Sequence, residues 1–345
     1  MRKHRFFTTP TLSFILIAAM FFVGFSTVTY AKSIKLTYAS HQPPTDVHSK
    51  LCQAWIDEVE KRTNGAVKVD FFPGESLVKV TQTYDAVENG MVDIGFAILQ
   101  YTRGRFPLMD FINLPMGYPN GPINTAIINE VAEKFKPESL KAVKVLYFHA
   151  NGPSYIHTKS KAIHTLKDFK GLKFRSNGIS ADALKELGGT PMALPMPELY
   201  QALQKGVIQG GVWDLSASVD WKLAEVTDYT IASSSISFSL GFFVVMNKDK
   251  WDSIDQQTQK IIEEINLEWV PKHGKAWQEA DNRGISFSLQ QGNSIIGITP
   301  KEAEKWRKTV QPVIDTWVND MEKKNLPGKD VLEFVEERLE AAKKG

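Results

Sequence analysis

A single cysteine, Cys52, stands in 345 residues, so no intrachain disulfide can form and the fold must hold through its core alone. The thiol lies between Leu51 and Gln53 in an amphipathic stretch, where a buried structural role is expected and a nucleophile is not. Excess charge is missing as well. The formal charge is +2, and without residues 1–31, whose only charged side chains are Arg2, Lys3 and Arg5, it becomes −1. A surface so near neutral has no general attraction for nucleic acid or anionic lipid, and any affinity for an anion must be local. The spacings GxGxxG, GxxxxGK[ST], HExxH, CxxC and GxSxG are absent, which removes the easily recognised enzyme classes. His157 and His164 have no third ligand spaced to join them, so neither a metal nor a cofactor is expected. Past the first 31 residues no run is apolar enough to span a membrane, and transport would require other chains.

What is present begins with an address. The basic head Met1-Arg2-Lys3-His4-Arg5 precedes the apolar run Leu12–Phe25 and the small-residue end Thr29-Tyr30-Ala31. A charged head, a greasy core shorter than the roughly 20 residues of a spanning helix and a small residue at the cut predict a signal peptide over 1–31, with the mature chain starting at Lys32.

The mature chain reads as alternating strands and helices. Ile34–Ala39 alternates as a strand, residues 47–63 carry Leu51, Trp55, Ile56 and Val59 at helical spacing, and Asn64-Gly65 stops that helix before a strand over Val67–Phe71. Two long extended segments, near 144–157 and 236–247, bracket residues 158–235. A chain that crosses to a second lobe and returns has a cleft between the lobes and a strand hinge beneath it. The expected division is lobe I over 32–152, lobe II over 153–240, and a return to lobe I over 241–345 with C-terminal helices packing across both lobes. In that last third, helices are expected over roughly 255–282 and from Thr299-Pro300-Lys301-Glu302, read as a capping box.

One stretch carries chemistry. In Leu172-Lys173-Phe174-Arg175-Ser176-Asn177-Gly178 the apolar residues alternate with cations, so Arg175 ends a short strand that a loop and helix follow. Ligands of open α/β sheets bind at that edge, and a guanidinium there offers a two-pronged donor for carboxylate, sulfonate or phosphate. From spacing alone, a solvated arginine is the commoner outcome.

Several segments, taken in order, resemble the solute-binding proteins of TRAP (tripartite ATP-independent periplasmic) transporters: Glu58–Gly65 with Phe72–Leu77, Ala86–Gly95, Leu166–Arg175 and Pro191–Trp213. The resemblance spans essentially the whole mature chain. It implies a two-lobed α/β periplasmic binding protein fold, a ligand closed in the cleft, a long helix across both lobes, and a monomer in the periplasm. It also implies one small and one large integral membrane subunit as partners, driven by a sodium gradient. Arg175 matches the family's ligand-clamping arginine.

The departures bear on the ligand. Tyr155 occupies the position where many members have a second arginine, which argues against a dicarboxylate. Trp213 stands where some relatives place a polar contact, and Met196 where an aromatic is common. Phe238 joins Arg175, Trp213, Tyr155 and Met196 as a candidate ligand contact, although each aromatic also fits a core role. Asp214 is read as a solvated carboxylate before a cation ligand. The expected cargo is a small monocarboxylate, aromatic or indole-like among the options, with a sulfonate or phosphate ester as the alternative. A secreted α/β enzyme, or an exported sensory or adhesive protein without a transport partner, are the rival classes.

Overall fold

The computed structural model describes Met1, residues 33–102 and residues 104–344; apart from Met1, the expected signal peptide and its cleavage point lie outside the described residues. Two sheets organise the chain. Strands β1 (Ile34–Ser40), β2 (Val67–Phe72), β3 (Ile94–Ile98) and β4 (Val143–Ala150) belong to the first, together with the late strand β10 (Gly241–Asn247), in the order β2-β1-β3-β10-β4. Strands β5 (Ser154–Thr158), β6 (Lys173–Arg175), β7 (Thr190–Met192), β8 (Gly210–Asp214) and β9 (Tyr229–Ala232) form the second with β11 (Ser294–Gly297), in the order β11-β9-β5-β8-β6-β7. β1 runs parallel to β2 and β3, while β10 is antiparallel to both its neighbours.

The α-helices among the described residues are α1 (Val47–Arg62), α2 (Thr83–Glu88), α3 (Gly121–Phe135), α4 (Ile179–Glu186), α5 (Met196–Gln204), α6 (Ala217–Asp220), α7 (Lys248–Asp252), α8 (Gln256–Gln290), α9 (Pro300–Lys323) and α10 (Gly328–Lys344). The uninterrupted apolar run of β10 follows from burial on both faces. Phe242, Val244 and Met246 meet the layer of α1 and α8, with Trp55, Ile265 and Trp269, while Phe243 and Val245 meet α2, α3 and the C-terminal helices. In the second sheet Val212 of β8 joins Phe174, Leu184 and Trp306 on one face, and Trp213 joins Leu199 and Leu203 on the other.

Besides α8, which leads to β11, two short segments connect the sheets. β4 passes through Asn151-Gly152-Pro153 into β5, and residues 237–240 return to β10. They are bonded to each other: Ser154 N–H donates to the Phe238 carbonyl at 2.7 Å, and Asn151 accepts from Leu240 N–H at 2.8 Å through its side-chain oxygen. The Asn151 amide then donates to Asp214 at the end of β8, 2.7 Å away. The long helix α8 has 35 residues, or about 52 Å at 1.5 Å per residue. It packs on α1, α3 and β4 of the first layer and on α6 of the second. A Cβ at Gly284 would stand 1.9 Å from the Leu215 carbonyl oxygen, so only glycine lets this helix approach the end of β8.

The C-terminal third departs from expectation in two ways. It contains a strand, β11, which pairs with β9 in the second sheet; α8 delivers the chain there, eight residues beyond its expected end at 282. The capping box at α9 is half formed. Thr299 accepts from Glu302 N–H, but the Glu302 carboxylate turns away to the Leu166 N–H and the Trp306 indole. Docking α9 onto the second lobe thus replaces the local bond. A complete box forms instead at Thr165 and Asp168. Among the described residues no helix is long and apolar enough to cross a membrane.

Candidate functional site

β6 is three residues long, and its last side chain, Arg175, is 3% exposed. A buried guanidinium must spend its donors. Nε donates to the Leu194 carbonyl, Nη1 to the Val212 carbonyl and Nη2 to the phenol oxygen of Tyr101, each at 3.0 Å. Those three bonds leave one N–H on each terminal nitrogen, the pair that an end-on carboxylate takes. Every partner is neutral, and among the described residues no carboxylate pairs with Arg175. A charge withdrawn from water without a counter-charge is strongly unfavourable unless an anion joins it.

The backbone makes room for this. β6 and β8 run parallel, with Arg175 beside Gly211. A Cβ on Gly211 would stand 2.8 Å from the Arg175 carbonyl oxygen and 2.7 Å from the Trp213 ring, so glycine at this register permits the strand to lie against the arginine.

Arg175 opens on a small cavity, about 10 Å³ open to the centre of a water-sized sphere, whose wall includes Ile98, Gln100, Tyr101, Asn177, Val212 and Leu240. Gln100 and Tyr101 come from the first layer, directly after β3. Gln100 is 4% exposed, and neither its oxygen nor its nitrogen has a partner among the described residues. Since buried amides are nearly always bonded, an unpaired one facing an unpaired cation marks a place prepared for a polar guest. Tyr101 accepts from Met196 N–H at 2.9 Å in addition to Arg175, tying the first layer to two elements of the second.

A second small chamber, about 20 Å³ by the same measure, adjoins the first, sharing Ile98 and Leu240. Met196, Phe242 and Trp277 give it apolar walls, while His41, Gln42, Asp46 and Asp214 supply polar groups. Asp214 is 4% exposed, which corrects its reading as a solvated carboxylate: it accepts from Asn151, from Ser216 Oγ and from Ala217 N–H.

The candidate residues fall into two groups. Arg175 and Met196 line the adjoining chambers. Trp213 lies in the layer behind β8, fully buried, with its ring parallel to His157 at 4.4 Å and its indole N–H without a partner. Phe238 is buried among Phe174, Ile156 and Trp306 beside the crossing. Tyr155 is half-buried and paired with Trp213 across the ladder, its phenol raised by burial and by the Asp281 carboxylate. None of these three lines either chamber. Lys173, the other cation of the motif, is exposed at the start of β6. The sequence reading passed over Gln100 and Tyr101, although both sit just beyond a strand's C-terminal end, the signal that singled out Arg175.

Cys52 is buried against the Tyr38 phenol at 3.2 Å, its thiol pushed up to about 12 by burial, which makes it inert. Under the first sheet, His48, His149 and His273 place one ring nitrogen each within 4.8 Å of the others. Their ring planes are parallel to within 7° and His149 is stacked on His273 at 4.2 Å. An ion in the plane of one ring of a stacked pair lies outside the plane of the other. His48 and His273 already share a proton between their Nδ1 atoms at 2.9 Å, so the cluster as built is a packed hydrogen-bonded group and not a metal cage.

Residues 38–320 match the model of the bacterial extracellular solute-binding proteins, family 7. The chain is 25% identical over 328 residues to the 2,3-diketo-L-gulonate-binding periplasmic protein of Escherichia coli K12, covering 92% of this chain and 97% of that one. Among solved structures, a TRAP solute-binding protein from Rhodoferax ferrireducens T118, with copurified benzoate, superposes with a TM-score of 0.85 at 27% identity, covering 90% and 99% of the two chains. A marine metagenome TRAP solute-binding protein specific for aromatic acid ligands, holding metahydroxyphenylacetate, gives 0.85 at 26% identity with the same coverage, 90% and 99%.

Proposed function

Because the chain belongs to family 7 of the bacterial extracellular solute-binding proteins and is a TRAP solute-binding protein, we propose that it captures a small organic monocarboxylate in the periplasm and delivers it to integral membrane subunits. The observation that carries this reading is Arg175: a guanidinium 3% exposed, held by three neutral oxygens, with donors to spare. The carboxylate takes those donors and the Gln100 amide, while Ile98, Leu240 and Val212 contact the body of the ligand. Flat aromatic acids are the first candidates, since two structurally similar proteins hold benzoate and metahydroxyphenylacetate. Sulfonates and phosphate esters offer the same oxygens and are the second. Tyr155, where a second arginine would serve a dicarboxylate, supports a single anionic group.

In this proposal lobe I comprises 32–152, lobe II 153–240 and the remainder returns to lobe I, with closure about the Asn151 and Phe238 crossings. One buried charge-assisted contact with apolar enclosure reaches roughly 8 kcal/mol, a micromolar affinity suited to a protein that must release its cargo. Native mass spectrometry of protein recovered from the periplasm tests the proposal, followed by thermal shift against carboxylates, sulfonates and phosphate esters. A retained organic acid, and stabilisation by its class alone, are expected. Failure of every acid to stabilise the fold would overturn it.

A further inference from the structure

Between its apolar walls, the second chamber of the cleft presents several acceptors. Asp46, at the start of α1, and Asp214, at the end of β8, line it from opposite layers. Gln42, 3% exposed, lines it too, and its side-chain oxygen is buried without a partner. His41 is held neutral, pushed down to about 4 by burial, with Nδ1 turned to the Phe96 carbonyl, which leaves Nε2 as another acceptor. Behind this wall stand two more carboxylates, Asp220 on α6 and Asp281 on α8. Burial and mutual repulsion raise Asp46 to about 7 and Asp220 to about 6, and raise Asp281 as well. The cations felt here, Lys50 and Arg283, act on Asp220 from exposed positions on α1 and α8. Of these four carboxyl groups three are deeply buried, and among the described residues no buried cation pairs with them.

The cleft is therefore polarised: a cation without a counter-charge at Arg175, carboxyl groups without a counter-cation and a bare amide oxygen at the other end, and apolar side chains such as Ile98 and Leu240 between. We propose that the second chamber receives a cationic group, an ammonium or amidinium, carried by the same ligand whose carboxylate meets Arg175, so that the cargo is a zwitterion with its charges at opposite ends. This rests on the assignment of Arg175 to the carboxylate. An ammonium supplies three N–H donors, which suit two carboxylates and the Gln42 oxygen. Once it is bound, the carboxylates are paired and no longer need their protons.

Matched acids that differ only by exchange of a methyl for an ammonium test the idea: pentanoate against 4-aminobutyrate, hexanoate against 5-aminopentanoate, and 4-ethylbenzoate against 4-(aminomethyl)benzoate. Calorimetry at pH 7.5 uses the mature protein, in sodium and in choline buffer. For the pair whose length fits, the ammonium acid is expected to bind at least about tenfold more tightly in both buffers. Asp46→Asn keeps the helix cap and should cut that ratio to within about threefold, while Gln42→Met narrows it less. Methyl acids that bind as well as their partners would overturn the proposal, and so would methyl acids whose binding depends on sodium, since an inorganic ion would then fill the chamber. If no acid of either kind binds, the Arg175 assignment falls first; if the methyl acids bind and lose affinity in Arg175→Ala, that assignment stands and only this inference fails.

Discussion

Tyr101 and Arg175 meet across the two layers: the phenol oxygen of one accepts from Nη2 of the other at 3.0 Å. The same oxygen accepts from the Met196 N–H, so one hydroxyl, three residues beyond β3, holds β6 and the start of α5 against the first layer. Tyr101→Phe keeps the ring and deletes both bonds. Affinity is expected to fall by about 1–3 kcal/mol, through faster ligand release, with little change in the melting temperature of the free protein. Stopped-flow displacement measures the release rate; an unchanged rate would separate Tyr101 from closure.

Gln100 yields an opposed pair of effects. Its buried amide has no partner among the described residues, so Gln100→Leu removes a desolvation cost from the free state and a hydrogen-bonding group from the bound state. The free protein should melt higher, while ligand affinity drops by about 1–3 kcal/mol. Differential scanning calorimetry with and without ligand reads both. A variant that melts lower and binds normally would assign Gln100 to structure alone.

Gly211→Ala tests the backbone under the site. The added methyl meets the Arg175 carbonyl oxygen and the Trp213 ring at under 3 Å, and β6 must move. A stability loss of about 1–3 kcal/mol is expected, with weaker binding. Alanine tolerated without loss of either, measured by urea melts and calorimetry, would mean that the strand spacing is not fixed by this contact.

The pH profile of stability follows from groups of opposite sign. Asp46 and Asp220 are raised to about 7 and about 6, by burial first. Folded values above the unfolded ones mean that folding takes up protons, so their contribution is present at low pH and is lost as pH rises from about 4 to about 7. His41, His157 and His273 are lowered to about 4, about 3 and about 3 by burial, and burial lowers His48 and His149 as well. There the unfolded chain takes up the proton, and stability falls as pH drops below about 6.5, by about 1.4 kcal/mol per pH unit for each group. The histidines outnumber the carboxylates. The melting temperature of the ligand-free protein should therefore peak between about pH 6 and 7 and fall more steeply on the acid side. A profile flat from pH 5 to 8 would contradict this assignment.

Much of this was legible in the sequence. The alternation in β1, the Asn64-Gly65 stop after α1 and the twin extended crossings gave the two layers, because burial pattern and turn chemistry are local properties. Arg175 was legible as the last residue of an alternating strand. Trp213 and Phe238 were not, since a large aromatic next to a ligand and one in a core look alike in sequence; only the direction of β8 turns Trp213 to the layer behind the cleft. Asp214 was misread because its neighbours Asn151 and Ser216 reach it through the fold. The strand β11 hid in a helical context, since it is four residues long, lies between two long helices and finds its partner, β9, through the fold.

The most direct test of the account is titration calorimetry of wild type, Arg175→Ala and Arg175→Lys with the tightest carboxylate from the ligand panel, with folding checked by thermal melt. Removing one member of a buried charge pair costs about 3–5 kcal/mol, a hundredfold to several-thousandfold in affinity. Lysine should recover little, because an ammonium cannot reproduce the fork that meets Leu194, Val212, Tyr101 and the ligand together. An Arg175→Ala protein that melts like wild type and binds within about threefold of it would contradict the assignment of the anion to Arg175.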